Sequence, residues 1–175
     1  MGESETFDDR DTGAEERVQA GILSEQIRAL PLSPPVQISA DATLAEVVEA
    51  LQKQHTGCVL VVGRDGKLVG IFTERDLLTR VAGKRLDWSA CRVADFMTRD
   101  PETLRPDDRI AWALNMMHIG GYRNVPLTDE RGRPAGLVTV KDIVEYIVEL
   151  FPGSVLNLPP DPRRRPDVNR EQGGG

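Results

Sequence analysis

A threonine followed three residues later by an aspartate occurs twice, in residues 70–76 (the first motif) and residues 136–142 (the second motif). In both motifs a glycine and two apolar residues precede the threonine, as expected for a strand that runs into a helix. The start of a helix presents free amide groups that favour phosphate, and an aspartate one turn into it can accept two hydrogen bonds from a ribose diol. Thr73 with Asp76, and Thr139 with Asp142, could equally serve only as helix caps, and these residues alone leave both roles open.

Both motifs lie within a longer repeat, because residues 27–81 and 93–147 align without a gap at an offset of 66. Apolar residues recur at the same places in both copies. The identical pairs are Pro35/Pro101, Asp41/Asp107, Ala45/Ala111, Val59/Val125, Gly66/Gly132, Gly70/Gly136, Thr73/Thr139 and Asp76/Asp142. A unit of about 60 residues is marginal as an independent fold, so we expect the two copies to pack against each other.

Each copy predicts the order strand, helix, strand, strand, helix. In the first copy the predicted strands are 36–39, 58–62 and 68–72, with a capping box at 43–46 and a last helix from Thr73 to Gly83. In the second copy the predicted strands are 102–105, 124–127 and 135–138, and the predicted helices are 110–119 and 140–150. Helical spacing of apolar residues predicts an amphipathic helix over 14–30, broken near Gly21 and Ser24, and a helical turn at 93–97.

Composition and charge restrict the class of protein. The chain has 175 residues and a net charge of −6, which gives no overall attraction to nucleic acid. Its longest apolar runs have the length of strands rather than membrane spans, and its acidic N-terminus does not resemble a secretory signal. The two cysteines lack disulfide or metal spacing, and Cys58 is expected to be a small buried apolar residue. We therefore predict a cytoplasmic protein that does not bind a membrane.

The domain boundaries follow from these patterns. We predict a disordered acidic tail at 1–13, a helix with the first repeat at 14–85, the second repeat at 86–152, and a tail rich in Pro, Arg and Gly at 153–175. No nucleophile stands beside a base at a catalytic spacing, so the sequence does not favour an enzyme.

The repeated order of elements, closed each time by the glycine–threonine–aspartate motif, resembles the cystathionine-β-synthase (CBS) domain pair, also called a Bateman module. Residues 97–101 and 121–127 are similar to that family's entry segment and second-strand segment, and the resemblance covers about 22–151. It implies an α+β fold of tandem β-α-β-β-α units packed as a pseudo-two-fold pair. It also implies a cleft that binds AMP, ADP, ATP, NAD or S-adenosylmethionine, with no cofactor required.

The resemblance also assigns roles to individual residues. It implies ribose binding for Asp76 and Asp142, and positions near phosphate for Thr73 and Thr139. Arg123 matches a phosphate-binding position. The full set implied as ligand-binding is Ile38, Ser39, Ala40, Cys58, Thr73, Arg75, Asp76, Thr103, Leu104, Arg105, Arg123, Asn124, Pro126, Thr139, Lys141 and Asp142. In this set the backbone of 38–40 and of 103–105 flanks the base, and Arg75 and Lys141 add positive charge.

The two repeats differ beside the motifs. Arg123 and Asn124 correspond to Gly57 and Cys58, so the first repeat lacks a phosphate-pairing side chain there. We expect the site of Asp142 to prefer a charged nucleotide and the site of Asp76 to be weaker. The chain is interpreted as a stand-alone regulatory module that forms a homodimer and acts on an unidentified protein. The alternative is a structural or interaction module that binds no ligand.

Overall fold

The computed structural model of the protein describes residue 21 and residues 24–152. The predicted tails, 1–13 and 153–175, lie outside the described residues, as does most of the helix predicted at 14–30. The predicted break near Ser24 is followed by no further α-helix before Leu30, because Gln26 has extended dihedral angles and only a 3₁₀ turn, Ile27–Ala29, follows it.

The first repeat has the predicted order of elements. They are β1 (Gln37–Ser39), α1 (Leu44–Lys53), β2 (Cys58–Val62), β3 (Leu68–Thr73) and a short α2 (Glu74–Asp76) that continues as a π-helix (Leu77–Val81). Helix α1 begins with the predicted capping box, in which Thr43 and Glu46 satisfy each other's backbone amides. The hairpin between β2 and β3 turns at Gly66, whose φ of 77° lies in the region that glycine adopts readily.

The second repeat is equally close to its predicted course. Its elements are a 3₁₀ turn (Val93–Asp95), β4 (Thr98–Arg99), α3 (Ile110–Gly120), β5 (Asn124–Thr128), β6 (Pro134–Thr139) and α4 (Val140–Leu150). The strand predicted at 102–105 is reduced to a single parallel bridge between Leu104 and Leu127. Pro101 and Pro106 flank this stretch, and because proline lacks an N–H group it cannot extend a strand pairing.

The strands form two sheets, and the first of them includes one strand of the second repeat. The first sheet has the order β1-β2-β3-β4, in which β1 is parallel to β2 and the other pairs are antiparallel. The second sheet is the antiparallel hairpin β5-β6. Strand β4, which lies near the start of the second repeat, is an addition to the predicted strands. It lies close to β3 at Gly70, where a Cβ atom would stand 2.3 Å from the Met97 sulfur.

The first residue of each repeat is hydrogen-bonded to the other repeat. The Ile27 amide donates to the Asp108 carbonyl at 2.8 Å, and the Val93 amide donates to the Ala42 carbonyl at 2.9 Å. The two bonds are equivalent, because Ile27 and Val93 are 66 residues apart and so are Ala42 and Asp108. This reciprocal exchange is the pseudo-two-fold relation of the pair.

The hydrophobic cores are shared in the same reciprocal way. Val93 and Met97 are buried in the core of the first repeat, whereas Ile27 and Leu30 are buried in the core of the second. A third cluster joins the two sheets, where Leu137 of the second repeat packs against residues of the first. Those residues are Cys58, Leu60, Leu68 and Ile71. As predicted, neither repeat forms its core alone.

Candidate functional site

The first motif forms a complete capping box at the start of α2. The Thr73 amide donates to Oδ2 of Asp76 at 3.0 Å, and the Thr73 hydroxyl donates to the same oxygen at 2.7 Å. In return, the Asp76 amide donates to Oγ1 of Thr73 at 3.2 Å. Both donors to Oδ2 therefore come from Thr73.

The second carboxylate oxygen of Asp76 faces an arginine of the π-helix. Nε of Arg80 lies 3.3 Å from Oδ1 of Asp76, and the side chains are 44% and 10% exposed respectively. The hydroxyl of Thr98, in β4, also points at Oδ1 at 3.5 Å. Arg80 is held in place because its guanidinium also donates to the carbonyls of Phe96 and Met97, at 2.9 and 2.8 Å.

The second motif has the same helix cap, but its aspartate receives fewer hydrogen bonds. The Thr139 amide donates to Oδ2 of Asp142 at 2.7 Å, and the Asp142 amide donates to Oγ1 of Thr139 at 3.2 Å. Asp142 is buried, with 8% of its surface exposed. Within residues 24–152, no donor lies within hydrogen-bond distance of its Oδ1. The positions equivalent to Arg80 and Thr98 hold Tyr146 and Leu32, which are partly buried against the second core.

The structure brings most of the predicted residues of the second repeat to this end of its hairpin. Asn124 pairs with Thr139 across β5 and β6, and the Val140 amide donates to the Arg123 carbonyl at 3.1 Å. The backbone of Arg123 therefore touches the first turn of α4, and its side chain is exposed. Lys141 follows in the same turn, where its ammonium group forms an exposed ion pair with Glu145 at 3.3 Å.

The equivalent end of the first repeat carries fewer free polar groups. Cys58 pairs with Thr73 and is 2% exposed. Burial, together with the nearby charge of Glu74, raises the pKa of the Cys58 thiol to about 12. The thiol is therefore neutral and packs as an apolar side chain, as the sequence predicted. Arg75 donates to the Gly121 carbonyl at 3.1 Å and so bridges the two repeats.

The residues predicted to flank the base lie at the other end of each hairpin. Ser39 pairs with Val62, the last residue of β2, whereas Cys58 at its first residue lies beside the motif. Four residues of strand separate these ends by about 13 Å. Ile38 and Ala40, on either side of Ser39, lie at the same end of the sheet. In the second repeat, the equivalent stretch is Thr103, Leu104 and Arg105. It lies beside Pro126, Leu127 and Thr128.

A cavity of about 240 Å³ opens at this other end, between the two repeats. It is lined by Leu68, Asp100, Pro101, Thr103, Thr128 and Gly132. Thr103 is the predicted site residue that meets it, and neither aspartate of the two motifs is among its lining residues.

This duplicated architecture has counterparts among known proteins. The family model of the CBS domain matches residues 27–83 and 93–149, which together cover more than half of the chain. The chain belongs to the CBS domain family. Each matched segment contains one complete motif, so the family assignment covers both motifs of the candidate site.

Solved CBS structures share this fold. A CBS domain protein from Pyrobaculum aerophilum, described as complexed with AMP, has a TM-score of 0.63 and 25% identity over 71% of this chain and 99% of its own. The CBS domain pair of protein MJ0100, in complex with 5′-methylthioadenosine and S-adenosyl-L-methionine, has a TM-score of 0.62 and 25% identity over 74% of this chain and 98% of its own.

A curated relative extends the comparison to a larger protein. Inosine-5′-monophosphate dehydrogenase of Nitrosopumilus maritimus is 36% identical over 62% of this chain. The chain spans 21% of that enzyme's length, and between 21% and 26% of several other curated relatives. The shared part is therefore the CBS region of longer proteins.

Sequence reasoning missed Arg80 and Thr98, which occupy the first aspartate. Arg80 stands four residues after Asp76, a spacing that favours an ion pair on a helix, so part of the signal was present. The approach of Thr98 could be read only from the exchange of segments between the repeats, which brings β4 beside β3.

Proposed function

We propose that the chain is a regulatory module that binds an adenosyl ligand, of the class AMP, ADP, ATP, NAD or S-adenosylmethionine. The observation that carries the proposal is the second motif, where one oxygen of a buried aspartate has no donor among the residues that the structure describes. The CBS relatives described with AMP and with S-adenosyl-L-methionine support the same ligand class.

In this proposal Asp142 accepts the ribose diol, and the phosphate or other charged group lies toward the start of α4. That helix has 11 residues and directs the positive end of its dipole toward the ligand. Arg123 and Lys141, both exposed beside Thr139, supply positive charge. All of these groups bind rather than react, so the proposed role includes no chemical step.

Isothermal titration of the full chain with AMP and ATP tests the proposal. We expect Asp142→Ala to weaken binding at least tenfold, because a charged acceptor of the diol is lost, and Asp76→Ala to weaken it less. A thermal-shift series with the same ligands is the second readout. A ligand at 100 times its dissociation constant should add about 2.7 kcal/mol of stability.

The competing interpretation is a structural module in which both motifs only cap helices. It is favoured if AMP, ATP and S-adenosylmethionine all fail to shift the melting temperature. Equal losses of affinity from Asp76→Ala and Asp142→Ala would contradict the preference for the second motif.

We also propose that the module is a cytoplasmic homodimer that contacts a protein target. Several large apolar side chains are exposed on neighbouring helices α3 and α4. They are Trp112, Ile119, Val144, Ile147 and Leu150. Exposed apolar side chains on adjacent helices are typical of a protein interface. Among the described residues, none of the helices has the length and hydrophobicity of a membrane span.

Sedimentation of the full chain tests the homodimer. We expect Val144→Glu to shift the wild-type dimer toward monomer, because it places a charge on the apolar face. Glu149→Gln, at another exposed position of α4, is the matched control and should leave the sedimentation coefficient unchanged. A wild-type monomer at tens of micromolar concentration would refute this part of the proposal.

A further inference from the structure

We propose that Arg80 occupies the first motif from within the protein, so that one chain binds one nucleotide, at the second motif. This inference rests on the proposed function and specifies its stoichiometry. It depends on the contacts of the two aspartates, which differ although the motifs are aligned residue for residue.

Both oxygens of the Asp76 carboxylate already face protein donors. A carboxylate offers about four hydrogen-bond positions. At Asp76 the two positions of Oδ2 receive the amide and hydroxyl of Thr73, and Oδ1 faces Arg80 and Thr98. A ribose would have to displace Arg80 and replace a contact between two charged groups with a hydrogen bond in which only the acceptor is charged.

Arg80 is also anchored by contacts other than the one to Asp76. Its guanidinium donates to the carbonyls of Phe96 and Met97 and to the hydroxyl of Thr98, at 2.9, 2.8 and 3.2 Å. A ligand at Asp76 would therefore have to disturb the segment that leads into β4. This set of contacts makes Arg80 a stable occupant rather than a mobile surface charge.

The backbone differs between the repeats at the same place. Residues Leu77–Val81 form a π-helix directly after Asp76, whereas the equivalent residues after Asp142 continue the regular helix α4. π-Helical turns are rare and occur frequently at functional sites. The position of Arg80 is held by Tyr146 in the second repeat, so Asp142 has no arginine of its own helix as a partner.

The test is the stoichiometry of AMP binding by isothermal titration on the full chain. We expect one AMP per wild-type chain. Arg80→Met removes the internal occupant and should add a second binding event. Arg85→Met, which removes an exposed arginine of the linker, is the matched control and should still bind one AMP.

The reciprocal variant is Tyr146→Arg, which places an arginine four residues after Asp142. We expect it to weaken AMP binding at least tenfold, the factor that corresponds to one hydrogen bond to a charged group. This variant decides the matter alone if Arg80→Met does not fold, as judged by circular dichroism. Unchanged binding by Tyr146→Arg would overturn the inference.

The outcomes also separate this inference from the proposed function. Two equivalent AMP molecules on the wild-type chain, or one AMP on a folded Arg80→Met variant, would overturn the role of Arg80 and leave the adenosyl site intact. Failure of both the wild type and Arg80→Met to bind AMP or ATP would contradict the proposed function, and this inference with it.

Discussion

Replacing Asp76 with alanine is expected to destabilise the protein more than replacing Asp142, although the two residues occupy equivalent positions. Each aspartate caps a helix by accepting the amide of its threonine. Asp76 has additional partners in the Thr73 hydroxyl and in Arg80. The order of the two stability losses is therefore the reverse of the order proposed for ligand binding.

The magnitudes follow from these contacts. Loss of the cap costs about 1 kcal/mol in either repeat. At Asp76 the Thr73 hydroxyl bond adds about 0.5–1 kcal/mol. The pair with Arg80 adds up to about 1 kcal/mol, since the arginine side chain is 44% exposed and solvent screens the interaction. We expect a total of about 1.5–3 kcal/mol for Asp76→Ala and about 1 kcal/mol for Asp142→Ala.

Urea denaturation without ligand measures both losses, and calorimetry provides a second readout at about 4 °C per kcal/mol. A double-mutant cycle of Asp76→Asn with Arg80→Met isolates the ion pair, because asparagine retains an acceptor for the cap. We expect a coupling energy of about 1 kcal/mol. Equal losses from the two alanine variants, or a coupling energy near zero, would refute this account of the first motif.

Three further predictions concern other parts of the molecule. Gly120→Ala should cost about 1–3 kcal/mol by urea denaturation, because the new Cβ would lie 2.0 Å from the ring of Tyr122, whereas Gly57→Ala, with its nearest contact at 3.5 Å, should be nearly neutral. Cys58, buried and with its pKa raised to about 12, should react with a thiol reagent at pH 8 far more slowly in the native protein than in urea. Hydrogen bonds from Thr43 at the helix N-cap lower the pKa of Glu46 below 4.5. The contribution of Glu46 to the stability of the fold should therefore be full above pH 4.5 and lost as the pH falls through the lowered pKa. The melting temperature of Glu46→Gln should depend less on acid pH than that of the wild type.

Much of the fold could be predicted because both copies carry strong local signals. The capping box at Thr43 and Glu46 gave the start of α1, and Thr139 gave the start of α4, at the residues that the structure shows. The prediction lost accuracy where local pattern and tertiary pairing disagree. The stretch 102–105 looked like a strand, but its flanking prolines limit it to one bridge, while the two residues of β4 pair only because Gly70 allows close approach.

The candidate site was predictable in part for a similar reason. The motif end of each hairpin follows from local sequence, so Thr73, Asp76, Thr139 and Asp142 lie where the repeat predicts them. Whether an aspartate is free or occupied depends on residues outside the motif. Thr98 reaches Asp76 across the exchanged segment, and this contact has no signature in the spacing of the motif itself.

The exchange of segments also explains how a duplicated fold can carry two different sites. Asp76 faces a segment from the start of the other repeat, so a change in that segment alters one site and leaves both motifs intact. The segment beside the first motif supplies the Thr98 hydroxyl and the carbonyls that hold Arg80. The residue that corresponds to Thr98 at the offset of 66 is the apolar Leu32, which packs against the second core. Because folding requires only that both segments fill the cores, the polar residues next to the aspartates can diverge without loss of the shared architecture. Divergence of this kind would leave a symmetric scaffold whose two aspartates have different partners, as the contacts of Asp76 and Asp142 within residues 24–152 show.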